Sequence, residues 1–272
     1  MNFSLMYGTA WKKERTQALV TLALEKGFVA IDTANQLKHY DESLAGEAIQ
    51  KFLSRGHERS ELFIQTKFTP LNGQDHRLPY DPKAPLTQQV EQSLAKSLEH
   101  LKTDYVDSYL LHGPYNSPRL GEEDWEVWSA IEKIYQSGKA KSIGVSNVNH
   151  LQLSELLERA KVKPMVVQNR CFAQTGWDFL VRKICSSHQV MYQGFSLLTA
   201  NPFVMEFPKV LEMATKYKVT PEQIVFAFAR QVGMVPLTGT SDANHMEQDL
   251  ASVKIDLQPP EMEFLLTCGL EE

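Results

Sequence analysis

Residues 104–114 read DYVDSYLLHGP. The apolar residues form a short run, Tyr105–His112, that ends on a histidine just before a Gly-Pro break. A run of this length, bounded by turn residues, reads as a strand covered on both faces. Seven further runs of the same kind flank it: Phe3–Tyr7, Phe28–Asp32, Leu62–Lys67, Lys141–Val145, Met165–Gln168, Val190–Gly194 and Met234–Leu237. Between them lie segments of helical spacing. Val90, Leu94, Leu98 and Leu101 share one helix face, and so do Ile224, Ala227 and Phe228. Acidic Glu122–Asp124 suits a helix's first turn, and Thr220-Pro221 reads as an N-cap followed by proline at the first helical position. Strand then helix, repeated about eight times, is the pattern of a parallel α/β fold. A closed barrel and an open doubly wound sheet share it.

The chain has 272 residues, close to the roughly 250 typical of an eight-stranded α/β barrel. No Pro/Gly-rich linker, low-complexity tract or repeat marks a boundary, so one domain spanning 1–272 is expected. The most loop-like segment is Asn72–Pro85, after the third strand. A net charge of −5 argues against general affinity for nucleic acid or anionic membrane. No apolar stretch approaches the ~20 residues needed to cross a bilayer, and the start of the chain lacks a signal-peptide pattern. The three cysteines form no CxxC pair, which suits a reduced, cytoplasmic protein. The eight histidines are scattered without HxH or HExxH spacing, so no metal site is expected. There is no GxG, which excludes the Rossmann fingerprint.

Polar residues gather at the strand ends. The second strand closes on Asp32, the third on Lys67, the fourth on His112 and the sixth on Gln168, while the fifth runs into Ser146-Asn147. In a parallel barrel these ends share one face, where active sites form. Singly, each has an ordinary explanation: a capping aspartate, a snorkelling lysine, a satisfied core histidine, a surface tyrosine at Tyr40. Their joint placement is what points to a site.

The same stretches resemble the aldo-keto reductase family over nearly the whole chain. GTAWK (Gly8, Thr9 and onward), IDTA, HYDESLAGEAI, FIQTK, DYVDSYLLHGP, IGVSN, VVQN and YQGFSLLTAN follow its motifs in order. The resemblance implies a (β/α)8 TIM barrel, a parallel eight-stranded barrel with outer helices. It implies an NAD(P)H-dependent oxidoreductase reducing an aldehyde or ketone, NADP(H) first and NAD(H) or dual use as the alternative. The partner would be a small carbonyl substrate, and the chain a monomer or small homo-oligomer. Tyr40 would be the general acid, Lys67 would lower its pKa, Asp32 would orient Lys67, and His112 would orient the carbonyl. Ser146, Asn147 and Gln168 would hold the carboxamide, Phe195 would stack on the nicotinamide, and Ser196, Leu198 and Thr199 would wrap the pyrophosphate. The segment GTSDANHMEQDL, with Gly239, Thr240, Ser241, His245 and Asp249, would present free backbone N–H groups to phosphate. Trp11, Phe68, Tyr80 and Phe172 would wall the substrate pocket, although core packing suits Phe172 equally.

Several residues depart from the family pattern. The usual tyrosine spacing lands on Leu37, and Tyr40 is chosen because Leu37 has no chemistry and DESLAGEAI follows Tyr40 correctly. The family's cationic clamp for a 2′-phosphate is replaced by Gly239-Thr240-Ser241 and His245. Asp249 stands where an asparagine is common, and Gly113 replaces a bulky aromatic. A long C-terminal loop is missing, which with Gly113 implies a more open pocket. Two other readings compete: a cofactor-binding regulatory or interaction subunit with little turnover, and a barrel lyase or isomerase. The intact Asp-Tyr-Lys-His set opposes the first, and the cofactor motifs oppose the second.

Overall fold

Strands buried on both faces, each paired in parallel with the next, decide how the chain closes. In a computed structural model describing residues 3–270, eight short strands pair in parallel, each with its neighbours, and β8 returns to β1 to shut the barrel. The first two and last two residues of the expected 1–272 domain lie outside the described residues. The strands are β1 (Met6–Gly8), β2 (Ala30–Asp32), β3 (Phe63–Phe68), β4 (Ser108–Leu111), β5 (Ile143–Ser146), β6 (Val166–Arg170), β7 (Met191–Phe195) and β8 (Met234–Thr238). All eight expected runs contain strands, with ends shifted by at most three residues. The pattern common to a barrel and an open sheet resolves to the closed TIM barrel.

Side chains one residue apart face opposite layers. Tyr7, Ile31, Ile64, Tyr109, Val145 and Val167 face outward into one apolar layer with the helices. Met6, Ala30, Phe63 and Leu237 face inward and plug the barrel floor. Above that floor the interior turns polar, with Gln65, Lys67, Gln168 and Gln193 all buried. This switch, within the same strands, sets the site at the C-terminal mouth.

The helices around the barrel are α1 (Thr16–Lys26), α2 (Glu42–Leu53), α3 (Leu86–Leu101), α4 (Glu122–Gln136), α5 (His150–Arg159), α6 (Phe179–Ser187), α7 (Pro208–Tyr217), α8 (Pro221–Gln231), α9 (Ala243–Ala251) and α10 (Pro259–Thr267). Their ends follow local chemistry. Gly27, at φ 104°, ends α1 in the left-handed region. Thr220 caps α8 by accepting from the Gln223 N–H, with Pro221 at the first helical position. Asp41 caps α2, accepting from the Leu44 N–H at 3.0 Å, which fixes the residue just before it, Tyr40.

Gly46 lets α2 press against the end of α3. A Cβ there would lie 2.1 Å from the His100 carbonyl oxygen and 2.8 Å from the Leu101 Cα. Backbone cannot rotate away as a side chain tip can, so Gly46→Ala is expected to destabilise the fold by about 1–3 kcal/mol. Urea denaturation checks this; an unchanged midpoint would mean that the helices separate at no energetic penalty.

Candidate active site

The centre of the mouth is a buried ion pair. The Lys67 ammonium faces Asp32 Oδ1 at 2.7 Å, Asp32 Oδ2 at 2.8 Å and the Thr33 carbonyl at 2.8 Å. All three ammonium protons thus have acceptors. Lys67 is 0% exposed and Asp32 3%. Asp32 Oδ1 also accepts from the side-chain amides of Gln65 (2.7 Å) and Gln168 (2.9 Å), and both amides donate to Gln193 Oε1. Burial pulls the Lys67 pKa down, and the Asp32 charge opposes that shift. A buried ion survives only when paired and fully hydrogen-bonded, and this network supplies both.

Over the pair sits Tyr40, its ring centroid 5.5 Å from Lys67 Nζ. A turn over Leu37–His39 takes up the extra residues, with the Tyr40 N–H donating to the Gln36 carbonyl at 2.9 Å. Tyr40 lines the cleft, and Leu37 does not. Among the described residues no protein group hydrogen-bonds the Tyr40 hydroxyl. The expected depression of the Tyr40 pKa by Lys67 is not what the structure gives. Burial raises the phenol well above its ordinary value, and the Asp32 charge adds to the rise. The phenol therefore stays protonated.

His112 stands edge-on to Tyr40, ring centroids 6.0 Å apart. Its Nδ1 shares a 2.7 Å hydrogen bond with the Thr69 hydroxyl, leaving Nε2 without a protein partner among the described residues. Burial, with Lys67 and His39 nearby, pushes the imidazole well below its usual pKa, so the ring is neutral. Thr69 orients the histidine; lying past the strand end, it carried no motif by which the sequence would single it out.

A cleft of about 1010 Å³ opens from this centre, within the range of ligand pockets. It passes Ser146, Asn147, Gln168 and Phe195, then Ser196, Leu198 and Thr199, and continues between α8, β8 and α9 past Gly239, Thr240, His245 and Asp249. Gly8 and Trp11 line it too. Ser146 Oγ donates to the Gln168 carbonyl, and Asn147, at φ 54°, donates from its amide to the His112 carbonyl. The strand ends thus tie one another in register. Trp11 is 65% exposed and rests on the His39 ring, centroids 3.9 Å apart, so the turn that delivers Tyr40 also props the mouth's tryptophan.

Other expected residues fall outside the cleft lining. Thr9 is buried behind it, its hydroxyl donating to the Asp32 carbonyl at 3.0 Å. Ser241 is exposed beyond it. Phe68 follows inward-facing Lys67, so alternation turns it out into the core, where it packs on Tyr80. Tyr80 donates its hydroxyl to the Thr69 carbonyl at 2.9 Å. Phe172 lies past the end of β6, away from the cleft. Three of the four expected wall aromatics therefore do not form it. Lys12 and Arg170 do line it and were not foreseen. Arg170 is two residues beyond Gln168 on β6, faces the mouth by the same alternation, and carries its guanidinium over the Phe195 ring at 5.5 Å. The expected free backbone N–H groups at the start of α9 are also corrected: those of Asn244 and His245 already donate to the Asp242 carboxylate.

The Aldo/keto reductase family model matches residues 1–199, and the chain belongs to that family. It is 28% identical to prostaglandin F synthase 1 of Bos taurus, over 93% of this chain and 82% of that protein. It is 29% identical to the NADPH-dependent alpha-keto amide reductase of Saccharomyces cerevisiae (97% and 85%) and 30% identical to aldo-keto reductase family 1 member C2 of Homo sapiens (93% and 82%). In fold it is similar to MGS-M4, an aldo-keto reductase enzyme from a Medee basin deep-sea metagenome library, with TM-score 0.84 at 23% identity over 100% of this chain and 94% of that one. The aldose reductase of Schistosoma japonicum gives TM-score 0.83 at 24% identity over 99% and 89%.

The buried pair predicts its own fragility. Asp32→Ala strands the Lys67 ammonium and is expected to lower stability by about 3–5 kcal/mol. Equilibrium denaturation of the purified variant measures this, and a loss under about 1 kcal/mol would show that water reaches the lysine.

Proposed function

We propose that this chain reduces the carbonyl group of an aldehyde or ketone to an alcohol, with Tyr40 as the proton donor. One observation carries the reading: a phenol hydroxyl and an imidazole Nε2, both without a protein partner among the described residues, on neighbouring rings that line one long cleft beside the Lys67–Asp32 pair. A reduced nicotinamide dinucleotide, when bound in that cleft, supplies the hydride. The residues present suit such a guest. Asn147 and the unpaired Gln168 oxygen face the place of the carboxamide, and Phe195 offers a flat apolar surface beside it. The name of the yeast relative, an NADPH-dependent reductase, agrees with this class of cofactor.

His112 holds the substrate oxygen through Nε2, with Thr69 fixing the ring. Tyr40 gives its proton to that oxygen as negative charge builds on it. The high phenol pKa keeps the donor loaded, and the Lys67–Asp32 pair beneath lets positive charge shift toward the phenolate as the proton leaves. Positioned acid catalysis of this kind contributes roughly 10²–10⁴-fold.

Purified protein is expected to oxidise NADH or NADPH in the presence of an activated benzaldehyde. Tyr40→Phe should lose at least about 100-fold in kcat with cofactor affinity nearly unchanged. Dinucleotide binding without turnover across an aldehyde and ketone panel would favour the regulatory-subunit alternative, and an active Tyr40→Phe would remove the phenol from the chemistry. The pH dependence follows from the two shifts. Tyr40 stays protonated as pH rises and His112 stays neutral as it falls, so the rate of reduction should be flat between roughly pH 6.5 and 9. A rate that halves across that window in step with one ionisation would contradict it.

A further inference from the structure

We infer that the end of the cleft far from Tyr40 is built for an adenosine ribose with a free 2′-hydroxyl, so that the chain takes NAD(H) in preference to NADP(H). The inference deepens the proposed dinucleotide-dependent reduction and rests on it. With the nicotinamide at Tyr40, the other half of the dinucleotide must occupy the remaining length of the cleft, between α8, β8 and α9.

That end is acidic. Glu222, in the first turn of α8, and Asp249, on α9, both line it. Asp249 is buried and accepts the Thr238 hydroxyl at 2.7 Å. Asp242 lies on the rim between two lining residues, Thr240 and His245, and its backbone N–H donates to the Thr240 hydroxyl at 3.2 Å. Its carboxylate accepts from the N–H groups of Asn244 at 2.8 Å and His245 at 3.0 Å. The start of α9 is therefore an anion site already filled, by a side chain of this chain.

A phosphate monoester carries about −1.5 to −2 charge at neutral pH and seeks N–H donors and cations. Here it would meet three carboxylates and an occupied helix terminus. Among the described residues, the lysine and arginine that line the cleft are Lys12 and Arg170; Arg170 lies over Phe195, and Lys12 donates its ammonium across the rim to the Gly239 carbonyl. That ammonium is thus already committed to a backbone acceptor of the rim, and burial lowers its pKa from the usual lysine value. A ribose diol, by contrast, is neutral and offers O–H donors, which carboxylates accept.

The test is binding, measured without turnover on the full chain. NADH and NADPH are titrated separately at low ionic strength, following quenching of protein tryptophan fluorescence. NADH is expected to bind at least about 10-fold tighter. Asp242→Ser keeps a capping oxygen and removes the charge, so it should narrow the NADH/NADPH affinity ratio by at least about threefold. Equal affinity or tighter NADPH in the unsubstituted protein overturns the inference and leaves carbonyl reduction standing. Binding of neither dinucleotide overturns the reductase reading, and this inference with it.

Discussion

A lysine and an aspartate without water, at the mouth of the barrel, set the terms for everything around them. Taking either ion out of solvent is unfavourable by several kcal/mol, and only complete pairing offsets it. Asp32 and Lys67 achieve this because β2 and β3 are neighbours in parallel register, with Asp32 opposite Gln65 and Lys67 two residues further on. The same alternation that aims Phe63 at the barrel floor aims Gln65 and Lys67 into the mouth. Gln168 on β6 and Gln193 on β7 complete the shell from across the barrel. Four strands are thereby committed to one arrangement of charge.

What this arrangement leaves over is as informative as what it ties down. Every ammonium proton of Lys67 is engaged, yet among the described residues the Tyr40 hydroxyl and His112 Nε2 have no protein partner. The two free atoms belong to neighbouring rings and are the polar tips facing the cleft. Burial acts on both in the direction of neutrality, raising the phenol and lowering the imidazole. Two neutral donors beside a fixed ion pair can stabilise an oxygen that becomes negative, which is the electrostatic demand of carbonyl reduction.

The strands, most helix ends and the polar mouth were legible in the sequence because each has a local cause: a short apolar run, a capping side chain, a polar residue closing a strand. The closed barrel was legible only through the family resemblance, since strand-helix alternation is common to two architectures and closure depends on the pairing of β1 with β8, more than 200 residues apart in sequence. The wall aromatics were misplaced for a related reason. Whether Phe68 faces the mouth or the core is decided by a single-residue phase, and Lys67 takes the inward place. Thr69 and Arg170 went unnoticed because each acts only through what the fold brings to it, His112 in one case and Phe195 in the other. The direction of the Tyr40 pKa was not legible either, because burial and the Asp32 charge, which raise it, depend on how the fold encloses the ring.

The turn Leu37–His39 shows how a departure from the family pattern is absorbed. The extra residues do not push Tyr40 outward, because Asp41 caps α2 and the Tyr40 N–H is held by the Gln36 carbonyl; the tyrosine is clamped on both sides of its own peptide group. The slack goes instead into the turn, where Arg77 donates to the Leu37 carbonyl and His39 supports Trp11. The insertion therefore moves the rim of the cleft and not its centre. Changes at the far end follow the same rule. Asp242, Glu222 and Asp249 alter what charge the cleft accepts from α8 and α9, which carry no strand of the barrel. Groups anchored on strand ends and groups placed on loops and helix starts can therefore vary separately.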